Sequence, residues 1–275
     1  MKNLYLRSIT GIVFVSLVIG STLYSPVSFT FFFALITALS IYEFGTIVNK
    51  TEEVHINRNI TTLAGIFLYF SFAYFCYNPQ QSGIFIPYLI FILYLFISEL
   101  YLKHKNPINN WAYTAMSQMY VALPFSLLHV LAYHGSGEVT LYNPILPLSI
   151  FIFNWTNDTG AYCTGMLFGK HRLFERISPK KSWEGSFGGA VLSIITAIIL
   201  SLNFSFLNTW EWVGLGLVIV VFGTFGDLVE SLLKRTLGIK DSGNILPGHG
   251  GMLDRFDSSL LAIPAATVYL YLLGL

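Results

Sequence analysis

Apolar runs long enough to cross a bilayer, which takes about 20 residues, recur along this chain from one end to the other and constrain its fold more than any other feature. Of its 275 residues, 54% are hydrophobic and 11% charged, less than half the charged share of ordinary soluble domains. A single water-exposed domain has no use for so much apolar surface, whereas a cluster of membrane helices requires it. The runs predict nine spans, at 9–24, 27–48, 60–77, 84–102, 112–133, 146–168, 183–202, 210–232 and 256–273. The expected fold class is an all-α integral membrane protein: a polytopic bundle of about nine transmembrane helices with a polar cavity facing the cytoplasm.

The opening MKNLYLRSITGIVFVSLVIG joins a basic tip to a short apolar run, the pattern of a signal peptide. No convincing small-residue cleavage site precedes the next apolar segment, so the run is read as an uncleaved first helix. Cys76 and Cys163 both lie in apolar segments and support neither a disulfide framework nor a cysteine metal site.

Cytoplasmic loops of membrane proteins retain Lys and Arg, and this sets the expected orientation. Lys2 and Arg7 precede the first span, Lys50 and Arg58 follow the second, and Lys103 and Lys105 follow the fourth. Lys170, Arg172, Arg176, Lys180 and Lys181 follow the sixth, and Lys234, Arg235, Lys240 and Arg255 follow the eighth. All 15 basic residues then fall on one side. That side is expected to be the cytoplasm, with the N-terminus inside and the C-terminus outside. Trp111 and Trp183 would mark the inner interface, Trp210 and Trp212 the outer one.

Polar residues are shared unequally between the halves. Residues 1–145 read as a scaffold of transmembrane helices whose acids, Glu43 and Glu99, lie near helix ends, reaching the interface or pairing with a nearby Lys. Residues 146–275 read as the catalytic membrane domain, with cytoplasmic loops at 169–182 and 233–255. Within it, FNWTNDTGAYCTG interrupts the sixth apolar run. Asn154 and Asp158 are four apart and share a helix face. An acid at membrane depth costs several kcal/mol unless something polar meets it, so Asp158 reads either as part of a helix-packing network or as one wall of a polar cavity.

The basic loop GKHRLFERISPKKSWEG serves equally as an inner-leaflet contact or as a phosphate-binding element. In the second reading Ser178, Lys180, Lys181 and Ser182 form a turn, Ser182 caps the next helix, and its exposed N–H groups face an anion. Gly169 and Lys170 do not make a P-loop, because Gly165 is one residue too close and His171 stands where Ser or Thr belongs. Further on, Asp227, Ser231 and Lys234 fall at i, i+4 and i+7, one helix face. The loop after Arg235 adds Lys240, Asp241, His249, Gly250, Gly251, Asp254, Arg255 and Asp257. Its glycines at 243, 248, 250 and 251 permit the positive φ values of backbone nests, which bind phosphate oxygens.

Carboxylates without His or Cys at ligand spacing favour a hard cation such as Mg²⁺, held by one or two carboxylates plus substrate phosphates. Lys and Arg interleaved with those acids suit a polyphosphate, and the constellation reads as phosphoryl or nucleotidyl transfer. His249 alone is as good a hydrogen-bond donor to phosphate as it is a base.

SLLKRTLGIKDSGNILPGHGGMLDRFD, at 231–257, resembles the signature of the phosphatidate cytidylyltransferases, or CDP-diacylglycerol synthases. Ser231, Lys234, Arg235, Lys240, Asp241, His249, Gly250, Gly251, Asp254, Arg255 and Asp257 all stand in their places. NDTGAY at 157–162 and ISPKKSWEG at 177–185 are similar to further blocks of that family, in the same order. The departures are Asn157 for a small residue, Cys163 for an aromatic or aliphatic one, Arg176 for a proline-like position and Ser182 for Thr. None of them removes a charge from the motif.

The resemblance implies that CTP and phosphatidate give CDP-diacylglycerol and pyrophosphate with a divalent cation, while K⁺ takes a neighbouring position. It implies Asp227 and Asp254 as ligands of cations bridging the phosphates, and Lys234, Arg235, Lys240 and Arg255 as charge-neutralising groups. Asp158 would line the cavity. Ser178, Lys180, Lys181, Ser182, Gly250 and Gly251 would contact phosphate. Membrane lipid is an expected partner and nucleic acid is not. Spacings such as Gly165 to Gly169 and Gly185 to Gly189 permit close helix contacts, within one chain or between two copies of a homodimer. Rivals are cytidylyl transfer to another lipid phosphate, a CTP-dependent lipid kinase, and a secondary transporter; the transporter is opposed by the one-sided clustering of acids with a basic loop and by the lack of an inverted repeat.

Overall fold

The computed structural model describes residues 2–134, 141–243, 245 and 250–274. Their architecture is all-α apart from two short hairpins. The helices are α1 (Lys2–Tyr24), α2 (Pro26–Val48), α3 (Arg58–Tyr77), α4 (Ile86–Leu102), α5 (Pro107–Ser117), α6 (Leu123–Ala132), α7 (Ile145–Phe168), α8 (Trp183–Asn203), α9 (Thr209–Thr236) and α10 (Leu253–Leu272). One hairpin pairs β1 (Tyr133–His134) with β2 (Leu141–Tyr142); the other pairs β3 (Arg172–Phe174) with β4 (Ser178–Ser182), both antiparallel.

Each of the nine apolar runs coincides with helix. Among the described residues, six segments are long and apolar enough to cross a membrane: Pro26–Val48, Arg58–Tyr77, Ser82–Leu102, Pro107–Ala132, Trp183–Asn203 and Thr209–Thr236. The fifth run is not one regular helix. A π-helical turn, Gln118–Ala122, separates α5 from α6 just before Pro124. Proline has no N–H to give to the preceding turn, and a widened turn absorbs the missing bond.

The chain divides into two compact units: residues 1–147 with 237–256, and 148–236 with 257–275. The loop after α9 groups with the first unit. α10 passes from one unit to the other after Phe256.

In the first unit, Ser25 starts α2 with a capping box. Its hydroxyl accepts the Ser28 N–H at 3.0 Å, the Ser28 hydroxyl accepts the Ser25 N–H at 3.1 Å, and Pro26 follows at the first helical position. Asn57 and Asn106 cap α3 and α5, their side-chain oxygens accepting the Ile60 and Asn109 N–H groups. The unit's core is aromatic. Phe256, 1% exposed, meets Phe14, Phe33 and Phe125 at ring centroids of 5.5, 6.3 and 5.2 Å. That contact seats the C-terminal end of the 237–256 loop.

In the second unit, glycines let helices touch backbone to backbone. A Cβ on Gly160 of α7 would lie 2.8 Å from the Gly188 carbonyl and 2.9 Å from the Gly189 Cα of α8. Gly226 of α9 has the same relation to the carbonyls of Asp257 and Ser258 on α10, at 2.7 and 2.9 Å. Small residues at such crossings are how helices associate where water supplies no hydrophobic force. These glycine contacts are made within one chain.

Candidate active site

The second unit assembles the polar residues of α7, β4 and α9. Ser182 ends β4 and caps α8, its hydroxyl accepting the Gly185 N–H at 3.2 Å. The stretch Ser178–Ser182 is therefore a strand leading into the cap rather than a free turn. Two backbone amides before it, Lys170 and His171, donate to the Glu184 carboxylate, which also meets His171 Nδ1 at 2.7 Å. These bonds fix the root of the hairpin on the first turn of α8.

Strand β4 aims Lys181 at a neighbouring carboxylate. Lys181 Nζ lies 2.5 Å from Oδ2 of Asp227, with both side chains partly exposed. Asp227 Oδ1 accepts the Ser231 hydroxyl at 3.2 Å, one turn further along α9. Lys234 pairs with Glu230 at 2.5 Å, and Glu230 is fully buried. Asp227, Ser231 and Lys234 all lie on the single helix α9, with the first two hydrogen-bonded and the ammonium paired to Glu230, a residue not among those expected at the site. The signal was present: Glu four residues before Lys is the favourable helical pairing.

Asp158, Lys180, Lys181 and Ser182 line one cavity of about 190 Å³, together with Asn157, Ser186 and Thr224. Ser186 and Thr224 also belong to an apolar cavity of about 350 Å³, walled by Phe174, Trp183, Phe187, Val221 and Phe225. Asp257 lies within electrostatic range of Asp158, Asp227 and Lys234. Three carboxylates and at least two ammonium groups therefore share the polar end of this unit.

The first unit holds the other group. Asp254, 8% exposed, opens α10, and its Oδ2 accepts the Ser242 and Gly251 N–H groups at 2.9 and 2.8 Å. An acid at a helix N-terminus is favoured by the helix dipole. Of the glycines expected to make a nest, Gly250 has a positive φ of 84°, whereas Gly243 and Gly251 do not take that conformation. What those two need is room, because a side chain on either would collide with the carboxylate of Glu43. The Gly251 amide is already turned to Asp254. Asp241, Lys240 and Arg255 are exposed on the same unit. Arg235 is exposed on the second. His249 and Gly248 lie outside the described residues.

No group of three or more His, Cys, Asp or Glu among the described residues is arranged to hold a metal unaided. Single carboxylates on separate elements are the donor set of a hard cation that completes its shell with water and phosphate oxygens. Asp227 and Asp254 fit that description in chemistry.

Six helices long and apolar enough to cross a membrane, with acids set beside lysines at one polar end, place the chain among polytopic helical proteins with a charged site. The cytidylyltransferase family profile matches residues 5–273, and the chain belongs to that family. It is 38% identical over 199 residues to a protein of Staphylococcus haemolyticus named phosphatidate cytidylyltransferase, covering 70% of this chain and 74% of the relative. A relative of the same name from Staphylococcus aureus (strain COL) is 38% identical over 200 residues, covering 70% and 74%. One from Staphylococcus epidermidis (strain ATCC 12228 / FDA PCI 1200) is 37% identical over 192 residues, covering 70% and 69%.

Proposed function

We propose that this protein transfers a cytidylyl group from CTP to phosphatidate, giving CDP-diacylglycerol and pyrophosphate for phospholipid synthesis. The observation that carries the lipid half of this reading is the pair of cavities sharing Ser186 and Thr224. One offers Lys180 and Lys181 to an anionic head group, and the other, apart from the shared Ser186 and Thr224, offers aromatic and aliphatic walls to an acyl chain.

The lipid phosphate is already anionic at neutral pH and attacks the α-phosphorus of CTP in line. The new P–O bond forms as the bond to the β-phosphate oxygen breaks, and pyrophosphate leaves with that electron pair. No covalent enzyme intermediate and no strong general base are required, so the protein's task is alignment and offsetting of charge. Lys180 and Lys181 receive the phosphatidate phosphate, aided by the N-terminus of α8. Lys234, Arg235, Lys240 and Arg255 offset the triphosphate. Asp227 and Asp254 are the cation ligands, Mg²⁺ first and K⁺ as a second ion. Mg²⁺ held by these carboxylates would supply Lewis-acid neutralisation of the phosphate charge.

The finer topology belongs to the same proposal. α1, α7 and α10 complete nine spans, the basic loops and the polar cavity face the cytoplasm where CTP is dissolved, and the acyl chains stay in the inner leaflet. A homodimer is compatible with this arrangement. The test is product analysis of the purified protein with phosphatidate, CTP and Mg²⁺: a cytidine diphosphate lipid with pyrophosphate supports it, whereas free CDP marks a lipid kinase.

A further inference from the structure

Glu43 sits in the apolar second helix, 5% exposed, where a carboxylate is costly unless it is engaged. Its partners lie about 200 residues away in sequence. Oε2 accepts the Ser242 hydroxyl at 3.0 Å and the Leu253 N–H at 2.8 Å. Gly243 and Gly251 leave the space it occupies, since a Cβ on either would fall on its Oε1. The two segments it grips, 242–243 and 251–253, are also the two that donate N–H groups to Asp254. Two carboxylates thus brace one loop: Glu43 from a fixed helix, Asp254 from within. Phe256 anchors the end of the same loop in its aromatic cluster.

We propose that Glu43 is a positioning residue: it holds the segments 242–243 and 251–253 in the conformation that presents Asp254, and so brings the first half of the chain into the reaction. The proposal rests on the reading of Asp254 as a cation ligand. Glu43 itself acts through the loop and touches no substrate. A reactive group must be held to within a fraction of an ångström by its supporting residues, and a glycine-containing loop does not achieve that alone. The need is for an acceptor, not for charge alone, because a single oxygen of Glu43 takes both bonds.

The test reads the loop directly, in the full-length protein in detergent without metal or substrate. Backbone amide exchange at Ser242, Gly251 and Leu253 is expected to rise about tenfold or more in Glu43→Ala, as two hydrogen bonds to a charged group are lost. Glu43→Gln, whose amide oxygen accepts the same bonds, is expected to stay within about threefold of native. With substrates, Glu43→Ala should raise the Mg²⁺ concentration for half-maximal rate about fivefold or more while leaving the KM for phosphatidate within about twofold. Native exchange in a folded Glu43→Ala overturns the proposal. Should that variant not fold, Ser242→Ala replaces it: it deletes one donor to Glu43 and keeps the Ser242 N–H for Asp254. Faster exchange at Leu253 and Gly251 then supports the proposal, and native exchange overturns it. Asp254→Asn is assayed in parallel. Full activity there removes the reading of Asp254, while the exchange data judge Glu43 separately.

Discussion

The ammonium of Lys181 and the Oδ2 of Asp227 stand 2.5 Å apart, joining the β3–β4 hairpin to the middle of α9. Lys181 therefore sets where Asp227 points as well as contributing positive charge beside the polar cavity. Replacing Lys181 with Met removes both effects. The expected result is a fall in kcat/KM of about tenfold or more, some 1.4 kcal/mol of transition-state stabilisation. Lys181→Arg, which keeps the charge, should lose less. The measurement is incorporation of labelled CTP into lipid, and equal losses in the two variants would contradict the role of charge.

Ser182 is the one side-chain cap on α8, and the Gly185 N–H is its partner. Ser182→Ala is expected to cost about 0.5–2 kcal/mol, and Ser182→Gly only a few tenths. The check is the melting temperature of the detergent-purified protein. A Gly variant less stable than the Ala variant would point to some interaction other than the cap.

Close helix contact in the second unit depends on Gly160. Its missing Cβ leaves room for backbone atoms of Gly188 and Gly189, and backbone cannot rotate aside. Gly160→Leu should destabilise by about 1–3 kcal/mol or more through overpacking. Gly20, with nothing within 4 Å of where its Cβ would be, is the control: Gly20→Ala should be neutral or gain up to about 1 kcal/mol from helix propensity. Thermal unfolding of both variants distinguishes them.

The sequence showed the helices readily, because each apolar run announces its own length. It placed Asp227 and Ser231 on one face for a similar local reason, one turn of helix apart, and the structure adds the bond between them. The π-helical turn at Gln118–Ala122 stayed hidden within a continuous apolar run, with Pro124 the sole sign of an interruption. The β3–β4 hairpin stayed hidden because a charged segment with one proline carries no alternation of apolar and polar residues. Glu43 was read as an interfacial acid. Its bonds to Ser242 and Leu253 join positions 199 and 210 residues apart, and no local period records such a pairing. The nest expected at Gly250 and Gly251 was read from composition. The structure uses one glycine for its positive φ and the other for the space it leaves.

Cytidylyl transfer that depends on Asp227 and Asp254 is read out by a single product assay. Purified protein in detergent is given phosphatidate, CTP and Mg²⁺, beside folded, monodisperse Asp227→Asn and Asp254→Asn, and CDP-diacylglycerol and pyrophosphate are quantified. The account predicts stoichiometric products from the native chain and a loss of about a hundredfold or more in each variant, some 2.7 kcal/mol. Absence of any nucleotide lipid with every divalent and monovalent cation tried, or native rates in both variants, would contradict it.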